Sequence, residues 1–218
     1  MALDDVVLER PGPAARRTAG DDAACPVCGG TDARLLFEKD DVPALIGVLW
    51  PDALSARACP TGDVSLAFCP GCGFLWNRRF DPARIDDAGP YDNSLHHSGV
   101  FQDYTEALVD RLVSRYSLRG KDVVDIGCGG GAFLSMLCAA GGNRGYGFDP
   151  SYAGPETAEA GTGTIRFERA AWAPDDPAAP QADLVASRFV LEHIPDPVAY
   201  LTALRRGIRQ PSRTVVYF

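Results

Sequence analysis

The sequence predicts an α/β protein built on a parallel sheet, with a small metal-binding module in front of it. Two observations lead to this prediction. From Phe101 onward, short apolar runs alternate with helical patterns, which is typical of parallel strands covered by helices. Before that point, two Cys-Pro-x-Cys-Gly motifs are separated by the 40 residues between Cys28 and Cys69, a pattern typical of a structural metal site.

The composition is that of a globular protein and excludes several classes of function. The chain has 218 residues, of which 46% are hydrophobic and 23% are charged, so it has room for one or two folded domains. Its formal net charge of −8, without a basic run, predicts no nucleic-acid binding. Since no stretch approaches the roughly 18 apolar residues of a membrane span, we expect no membrane insertion.

The two cysteine motifs predict a zinc site. Each tight loop carries two thiolates, and the glycine after the second cysteine supplies a permissive backbone. Two such loops give a closed tetrahedral site with a structural role. The alternative is a redox motif of the thioredoxin type, which two copies in the same frame make unfavourable. The expected ligands are Cys25, Cys28, Cys69 and Cys72.

Cysteine usage and the first residues indicate the compartment. The chain has seven cysteines, an odd number, and its acidic N-terminus lacks the apolar core of a signal peptide. We therefore expect a reducing cytoplasm, with Cys59 as a spare thiol and Cys138 as a buried core residue. The expected organisation is a loose tail (1–20), a zinc-binding module (21–80), a polar linker (81–100) and a nucleotide-binding type of domain (101–218).

The elements follow in order from the apolar pattern. Between the cysteine motifs, short strands and turns are expected because prolines interrupt any long helix. A helix is predicted from Phe101 to about Leu118, since apolar residues recur there at steps of three and four. The predicted strands are Asp122–Ile126, Gly145–Phe148, Thr164–Glu168, Ala182–Ser187 and Arg213–Phe218. The predicted helices are Ala132–Ala140, a short one near Ala153–Ala160, and Pro197–Arg209.

The segment Asp125-Ile-Gly127-Cys-Gly129-Gly-Gly131 carries the strongest functional signal. A buried strand runs into a glycine-rich turn and then into a helix start, which lets a ligand approach the backbone closely. The spacing also fits the dinucleotide fingerprint G-x-G-x-x-A. Asp125 at the strand end favours a charged amino group over a pyrophosphate. Asp149, at the end of the next strand, can bind ribose hydroxyls in either class of cofactor.

The string Asp-Ile-Gly-Cys-Gly-Gly-Gly resembles motif I of class I S-adenosylmethionine-dependent methyltransferases. Leu191-Glu-His-Ile-Pro-Asp-Pro197 is similar to the segment after the fourth strand of that family. The resemblance implies a Rossmann-like methyltransferase core with S-adenosylmethionine as the cofactor, and a plain nucleotide-binding domain is the alternative. The cofactor-binding residues that it implies are Tyr91, Asp125, Gly127, Cys128, Gly129, Gly131, Phe148, Asp149, Pro150, Ala171, Trp172 and Arg188.

The order of zinc motifs, linker and core resembles the bacterial sugar C-methyltransferases, which act on nucleotide-linked 4-keto deoxysugars. Carbon methylation needs a base that removes a proton beside the ketone. The candidate catalytic residue is His193, at the carboxyl edge of the sheet, with His96 and His97 in the linker as alternatives. Each of these histidines also has a purely structural interpretation.

Two alternatives to this function stay open. One is methylation of oxygen or nitrogen on a natural product, and the other is a cofactor-binding remnant that acts through a partner chain. Five strands can be counted, whereas the family has seven, so the C-terminal part is expected to be missing. The last strand would then form a bare apolar edge, which predicts a homo-oligomer or a partner chain that covers it.

Overall fold

The computed structural model describes residues 24–45, 48–81, 97–173 and 180–218. The chain divides into two compact units, Met1–Leu45 with Trp50–Ile85, and Ile46–Leu49 with Asp86–Phe218. The expected tail, Tyr91 and His96 lie outside the described residues. Among the described helices, none has the length and apolar character needed to cross a membrane.

The first unit contains a three-stranded antiparallel sheet. Its strands are β1 (Arg34–Pro43), β2 (Thr61–Phe68) and β3 (Leu75–Asn77), in the order β1-β2-β3. The short strands predicted between the cysteine motifs are therefore present. A five-residue helix, α1 (Ala53–Arg57), was not predicted, and the Asp52 side chain caps it by accepting a hydrogen bond from the Ser55 amide.

The second unit is a six-stranded sheet with helices on both faces. Its strand order is β6-β7-β5-β4-β8-β9, and all neighbouring pairs are parallel except β6 with β7. The predicted boundaries of the five parallel strands and three long helices agree with the structure to within two residues. The elements are α2 (Gly99–Tyr116), β4 (Asp122–Ile126), α3 (Ala132–Gly141), β5 (Arg144–Phe148), β6 (Thr157–Ala160), β7 (Gly163–Glu168), β8 (Leu184–Ala186), α4 (Pro197–Gly207) and β9 (Val215–Tyr217).

The short helix predicted near Ala153–Ala160 is wrong, and the count of five strands becomes six. The segment forms β6, which pairs antiparallel with β7 through a two-residue turn. Gly161 begins this turn with φ +60°, a conformation that hairpin turns of this length favour. The alanines suggested a helix, but only a few residues separate Pro155 from Gly161, and so short a helix is unstable in water.

Side chains of β4 reach the cores on both faces of the sheet. Val123 belongs to the larger core cluster, with residues of α2 and α3, whereas Val124 belongs to the smaller one, with Leu204 of α4. This arrangement explains why the two adjacent residues Val123 and Val124 are both apolar, as expected of a central parallel strand covered on both faces. Cys138 is fully buried in the larger cluster, which confirms its predicted role in the core.

Asn143 forms hydrogen bonds to several segments at the amino-terminal ends of the parallel strands. Its side chain is fully buried, and its Nδ2 donates to the carbonyl oxygen of Leu137 at 2.8 Å. Its Oδ1 accepts from the amide of Lys121 at 2.9 Å, and its own carbonyl oxygen accepts from Thr164. One amide side chain thus links the end of α3 to the start of β4.

We expect Asn143→Ala to lower the free energy of unfolding of the second unit by about 2–4 kcal/mol, because it removes two side-chain hydrogen bonds from a fully buried position, one to the carbonyl of Leu137 and one from the amide of Lys121. Thr164→Ala, at an exposed neighbouring position in the sheet, should cost roughly 0.5 kcal/mol. Hydrogen exchange of β4 and β5 in increasing urea measures both changes. Equal effects of the two substitutions would contradict this role of Asn143.

Candidate functional site

The carboxyl ends of β4, β5 and β8 meet at one edge of the sheet. The chain passes from β4 to β5 on one side of β4 and later reaches β8 on its other side. A reversal of this kind opens a crevice at the carboxyl ends of parallel strands, where ligands of open α/β sheets bind. The predicted residues Asp125, Asp149 and Arg188 all belong to segments that end at this edge.

The glycine-rich turn after β4 is closely surrounded by side chains. A Cβ atom at Gly127 would lie 2.3 Å from Cγ2 of Val190, and one at Gly131 would lie 2.5 Å from the ring of Phe167. Both glycines also have positive φ, at +70° and +80°. At Gly129, also with positive φ, a Cβ atom would meet no described atom within 4 Å. The turn is therefore packed against the protein at two positions and open at the third, as a cofactor cradle requires.

Asp149 connects this turn to the end of β5. Its Oδ2 accepts a hydrogen bond from the Gly129 amide at 2.8 Å. Its Oδ1 accepts from the amide of Ser151 at 2.8 Å and from the Ser151 hydroxyl at 2.6 Å. A carboxylate offers about four acceptor positions, so this arrangement leaves room for a further donor such as a ribose hydroxyl. The placement fits the ribose-binding role implied for Asp149.

Asp125 is a buried carboxyl at the end of β4, with 3% of its surface exposed. Burial raises its pKa to about 7, and the charge of Asp149 adds to this rise while Arg188 opposes it. A buried carboxyl near neutrality is readily ionised by a cationic ligand, since an opposite charge lowers the pKa again. Asp125 can therefore receive an ammonium group.

Arg188 follows β8 and lies between aromatic rings. Its guanidinium carbon is 4.2 Å from the centre of the Phe133 ring and 5.2 Å from that of Phe189. Its Nη2 is buried and has no hydrogen-bond partner among the described residues. Phe189 itself has φ +55°, a conformation that a bulky residue adopts only under constraint.

The other predicted positions have varied surroundings. Phe148 is buried in the smaller core cluster, and Trp172 packs against that cluster with its Nε1 unpartnered among the described residues.

The thiol of Cys128 is partly buried, which raises its pKa, so it stays neutral. Pro150, Ala171, His97 and His193 are exposed, and His193 lies on a 3-10 turn at Leu191–His193 after β8.

Sequence reasoning missed the aromatic rings that contact Arg188, and it missed a pair of hydroxyl groups on Ser187 and Tyr200. Phe133 and Phe189 provide its ring contacts, and the buried Ser187 hydroxyl lies 2.7 Å from the hydroxyl of Tyr200. Phe189 was detectable only as an aromatic residue after a buried strand. Neither its backbone conformation nor the pairing of Ser187 with Tyr200 has a signature in the sequence.

The four cysteines of the two motifs come together in the first unit. Their Sγ atoms all lie within 4.8 Å of one another, with 3.6 Å between Cys25 and Cys72 and 3.5 Å between Cys28 and Cys69. A tetrahedral ion with Zn–S bonds of roughly 2.3 Å requires Sγ atoms about 3.8 Å apart. The distances thus suit a metal of this kind and are far too long for disulfides.

The two motifs use the same backbone hydrogen bonds. In the first motif, the Cys25 amide donates a hydrogen bond to the carbonyl oxygen of Gly30, and the Gly29 amide donates one to the carbonyl oxygen of Cys25. In the second motif, the Cys69 amide donates a hydrogen bond to the carbonyl oxygen of Phe74, and the Gly73 amide donates one to the carbonyl oxygen of Cys69. Gly29 and Gly73 have φ of +71° and +79°. This repeated geometry explains the glycine after each cysteine pair.

Two comparisons with known proteins gave matches. A family model described as a methyltransferase domain matches residues 101–217. The chain is also 33% identical over 106 residues to a protein of Methylococcus capsulatus named ubiquinone biosynthesis O-methyltransferase. That alignment covers 46% of this chain and 44% of the relative, so the chain matches less than half of the relative's length.

The raised pKa of Asp125 predicts a pH-dependent stability without ligand. A carboxyl with a folded pKa of about 7 favours the folded state below its unfolded value of about 3.9, and this contribution is lost as the pH rises towards 7. The melting temperature of Asp125→Asn minus that of the unsubstituted chain should therefore increase as the pH rises from 5 to 8. Thermal melts at several pH values measure this difference.

Asp183→Asn is the matched control for this experiment. Burial acts to raise the pKa of Asp183, but hydrogen bonds from Asp122 and Lys121 outweigh it and lower that pKa. Asp183 is thus ionised throughout the range from pH 5 to 8, and the effect of its substitution should be constant. A constant effect of Asp125→Asn as well would show that Asp125 does not titrate in this range.

Proposed function

The chain belongs to the methyltransferase-domain family, and we propose that it binds S-adenosylmethionine and transfers a methyl group to a small-molecule acceptor. The observation that carries this proposal is the family match over residues 101–217, which contains the whole glycine-rich turn and its two acidic neighbours. The open position at Gly129, beside the carboxylate of Asp149, suits a bound nucleoside.

The proposed methyl transfer depends more on the alignment of the methyl group with the acceptor atom than on acid or base catalysis. When bound, S-adenosylmethionine would supply a methyl group on a positively charged sulfur, and the neutral thioether S-adenosylhomocysteine would be the leaving group. Asp149 would hold the ribose, and Asp125 would hold the amino group, so the two carboxylates would fix the cofactor on both sides of its sulfur atom. The packed contacts at Gly127 and Gly131 would hold the glycine turn in place, while the open position at Gly129 would face the ligand. These residues thereby align the methyl group with an acceptor atom.

For the acceptor, we propose a nucleotide-linked keto-deoxysugar that is methylated at carbon. The support is the order of a four-cysteine cluster followed by a methyltransferase domain, which the sugar C-methyltransferases share. His193 is the candidate base, since its exposed side chain on the turn after β8 is accessible to an acceptor. A second candidate is O-methylation, which the name of the relative from Methylococcus capsulatus favours.

Incubation with S-adenosylmethionine labelled with ¹³C in its methyl group tests the proposal. A thymidine-diphosphate-linked 4-keto-6-deoxysugar and a catechol serve as acceptors for the two candidates. We expect a labelled methyl on carbon in the sugar product, which carbon NMR distinguishes from a methyl on oxygen. Label on the catechol alone would favour O-methylation. Failure to bind S-adenosylhomocysteine in calorimetry would contradict the proposed cofactor.

Asp149→Asn should weaken the binding of S-adenosylhomocysteine about 10- to 100-fold, because the amide loses the charge that strengthens hydrogen bonds to ribose hydroxyls. Asp110→Asn, at an exposed position of α2, should leave the dissociation constant within about twofold. Isothermal titration calorimetry measures both. Unchanged affinity in Asp149→Asn would mean that Asp149 serves only to hold Gly129 and Ser151.

We propose that the four-cysteine cluster binds one zinc ion with a structural role. The support is the tetrahedral spacing of the Sγ atoms and the closed set of four thiol ligands. Burial raises the pKa of Cys25, but backbone hydrogen bonds from Cys28 and Val27 lower it to about 7. One thiol thus ionises easily, and the protons on the others are displaced as the metal binds.

Purified chain should contain about one zinc ion, and Cys72→Ser should lose it together with the fold of the first unit, since a missing thiolate opens the site. Cys59→Ser is the matched control, because Cys59 lies outside the cluster, and it should keep the metal. Elemental analysis after dialysis measures the zinc content. Much less than one ion per unsubstituted chain would refute the site.

A further inference from the structure

Arg188 carries a charge for which the described residues provide no direct partner. The guanidinium is held against the rings of Phe133 and Phe189, so its orientation is restricted, while the buried Nη2 donates no hydrogen bond to a described residue. Buried polar groups in proteins are almost always paired, with protein, water or ligand. An arginine that is oriented, partly desolvated and unpaired at a binding edge is therefore suited to receive an anion.

Asp125 carries the opposite charge with which Arg188 interacts. Arg188 follows β8, whose Ala186 pairs in register with Asp125 of β4. Arg188 acts on Asp125 through its charge and makes no hydrogen bond with it. The two charges therefore attract each other at a distance without neutralising each other in a salt bridge. Each of them remains free to bind a separate group of one ligand.

The ligand that satisfies both charges has an ammonium and a carboxylate close together. An α-amino acid group has this form, since both charges are attached to a single carbon atom. Its ammonium group matches the buried carboxyl of Asp125, and its carboxylate matches the planar donor fork of an arginine. The strained backbone of Phe189 places a ring against Arg188, which keeps the guanidinium at this edge when no ligand is bound.

We propose that Arg188 binds the carboxylate of the amino acid group of the cofactor, while Asp125 binds the ammonium of the same group. This inference rests on the proposed function, because it takes the amino acid group to be that of S-adenosylmethionine. It assigns the two charges of the amino acid group to the carboxyl ends of two different strands, β4 and β8. The aromatic residues Phe133 and Phe189 act as positioning residues for Arg188.

Three nucleosides separate the two charges by calorimetry. S-adenosylhomocysteine has both, decarboxylated S-adenosylmethionine has the ammonium without the carboxylate, and 5′-methylthioadenosine has neither. Arg188→Met should weaken S-adenosylhomocysteine about 10- to 100-fold and change the other two less than about threefold. Asp125→Asn should weaken S-adenosylhomocysteine and the decarboxylated compound, but leave 5′-methylthioadenosine unchanged.

Two further variants serve as controls. Arg188→Lys keeps the charge but loses the fork, so it should weaken S-adenosylhomocysteine less than Arg188→Met does. Arg206→Met, at an exposed position of α4, should change no affinity. If Arg188→Met weakens all three nucleosides equally, Arg188 only supports the fold, and the inference is wrong.

The outcomes also separate this inference from the proposed function. If the unsubstituted chain binds S-adenosylhomocysteine and Arg188→Met binds it equally well, the cofactor is right and the role of Arg188 is wrong. If the unsubstituted chain binds none of the three nucleosides, the proposed cofactor is wrong and the inference fails with it. Melting curves of each variant show which of them are folded.

Discussion

The candidate cofactor site depends on two positions that have no room for a side chain. At Gly127 the space for a Cβ atom is taken by Val190, and at Gly131 it is taken by the ring of Phe167. Any larger residue would push the turn away from β7 and from the segment after β8. The turn, the start of α3 and the crevice between β5 and β8 are therefore fixed by the same two close contacts.

Much of this arrangement was predictable from the sequence. The parallel strands and long helices are marked by apolar runs of the right length, and the glycine spacing marked the turn. The predicted helix near Ala153–Ala160 was wrong because pairing with β7 outweighs the helical preference of alanine. The surroundings of Arg188 were not predictable, since Phe133 is far from it in sequence and the conformation of Phe189 depends on tertiary contacts.

The first unit shows why a metal is expected there. Its three-stranded sheet buries few side chains, and two of the buried hydrophobic residues are the metal-ligand candidates Cys25 and Cys69. Leu36 and Phe37 of β1 stay more than half exposed. A module of this size gains little from such a core, so a cross-link between distant segments would supply additional stability. The proposed zinc ion, bound by four thiols from two loops separated by 40 residues, would provide such a cross-link.

The charges at the sheet edge favour a cationic ligand. Asp125 interacts there with the guanidinium of Arg188 and with the second carboxyl, Asp149, and repulsion between the two carboxyls contributes to the raised pKa of Asp125. A ligand that brings positive charge relieves this repulsion and lowers that pKa. With the proposed cofactor, the sulfonium adds a second positive charge to the ammonium, whereas the product of methyl transfer keeps only the ammonium. In the proposed reaction, loss of the sulfonium charge would therefore weaken the attraction between these carboxyls and the product.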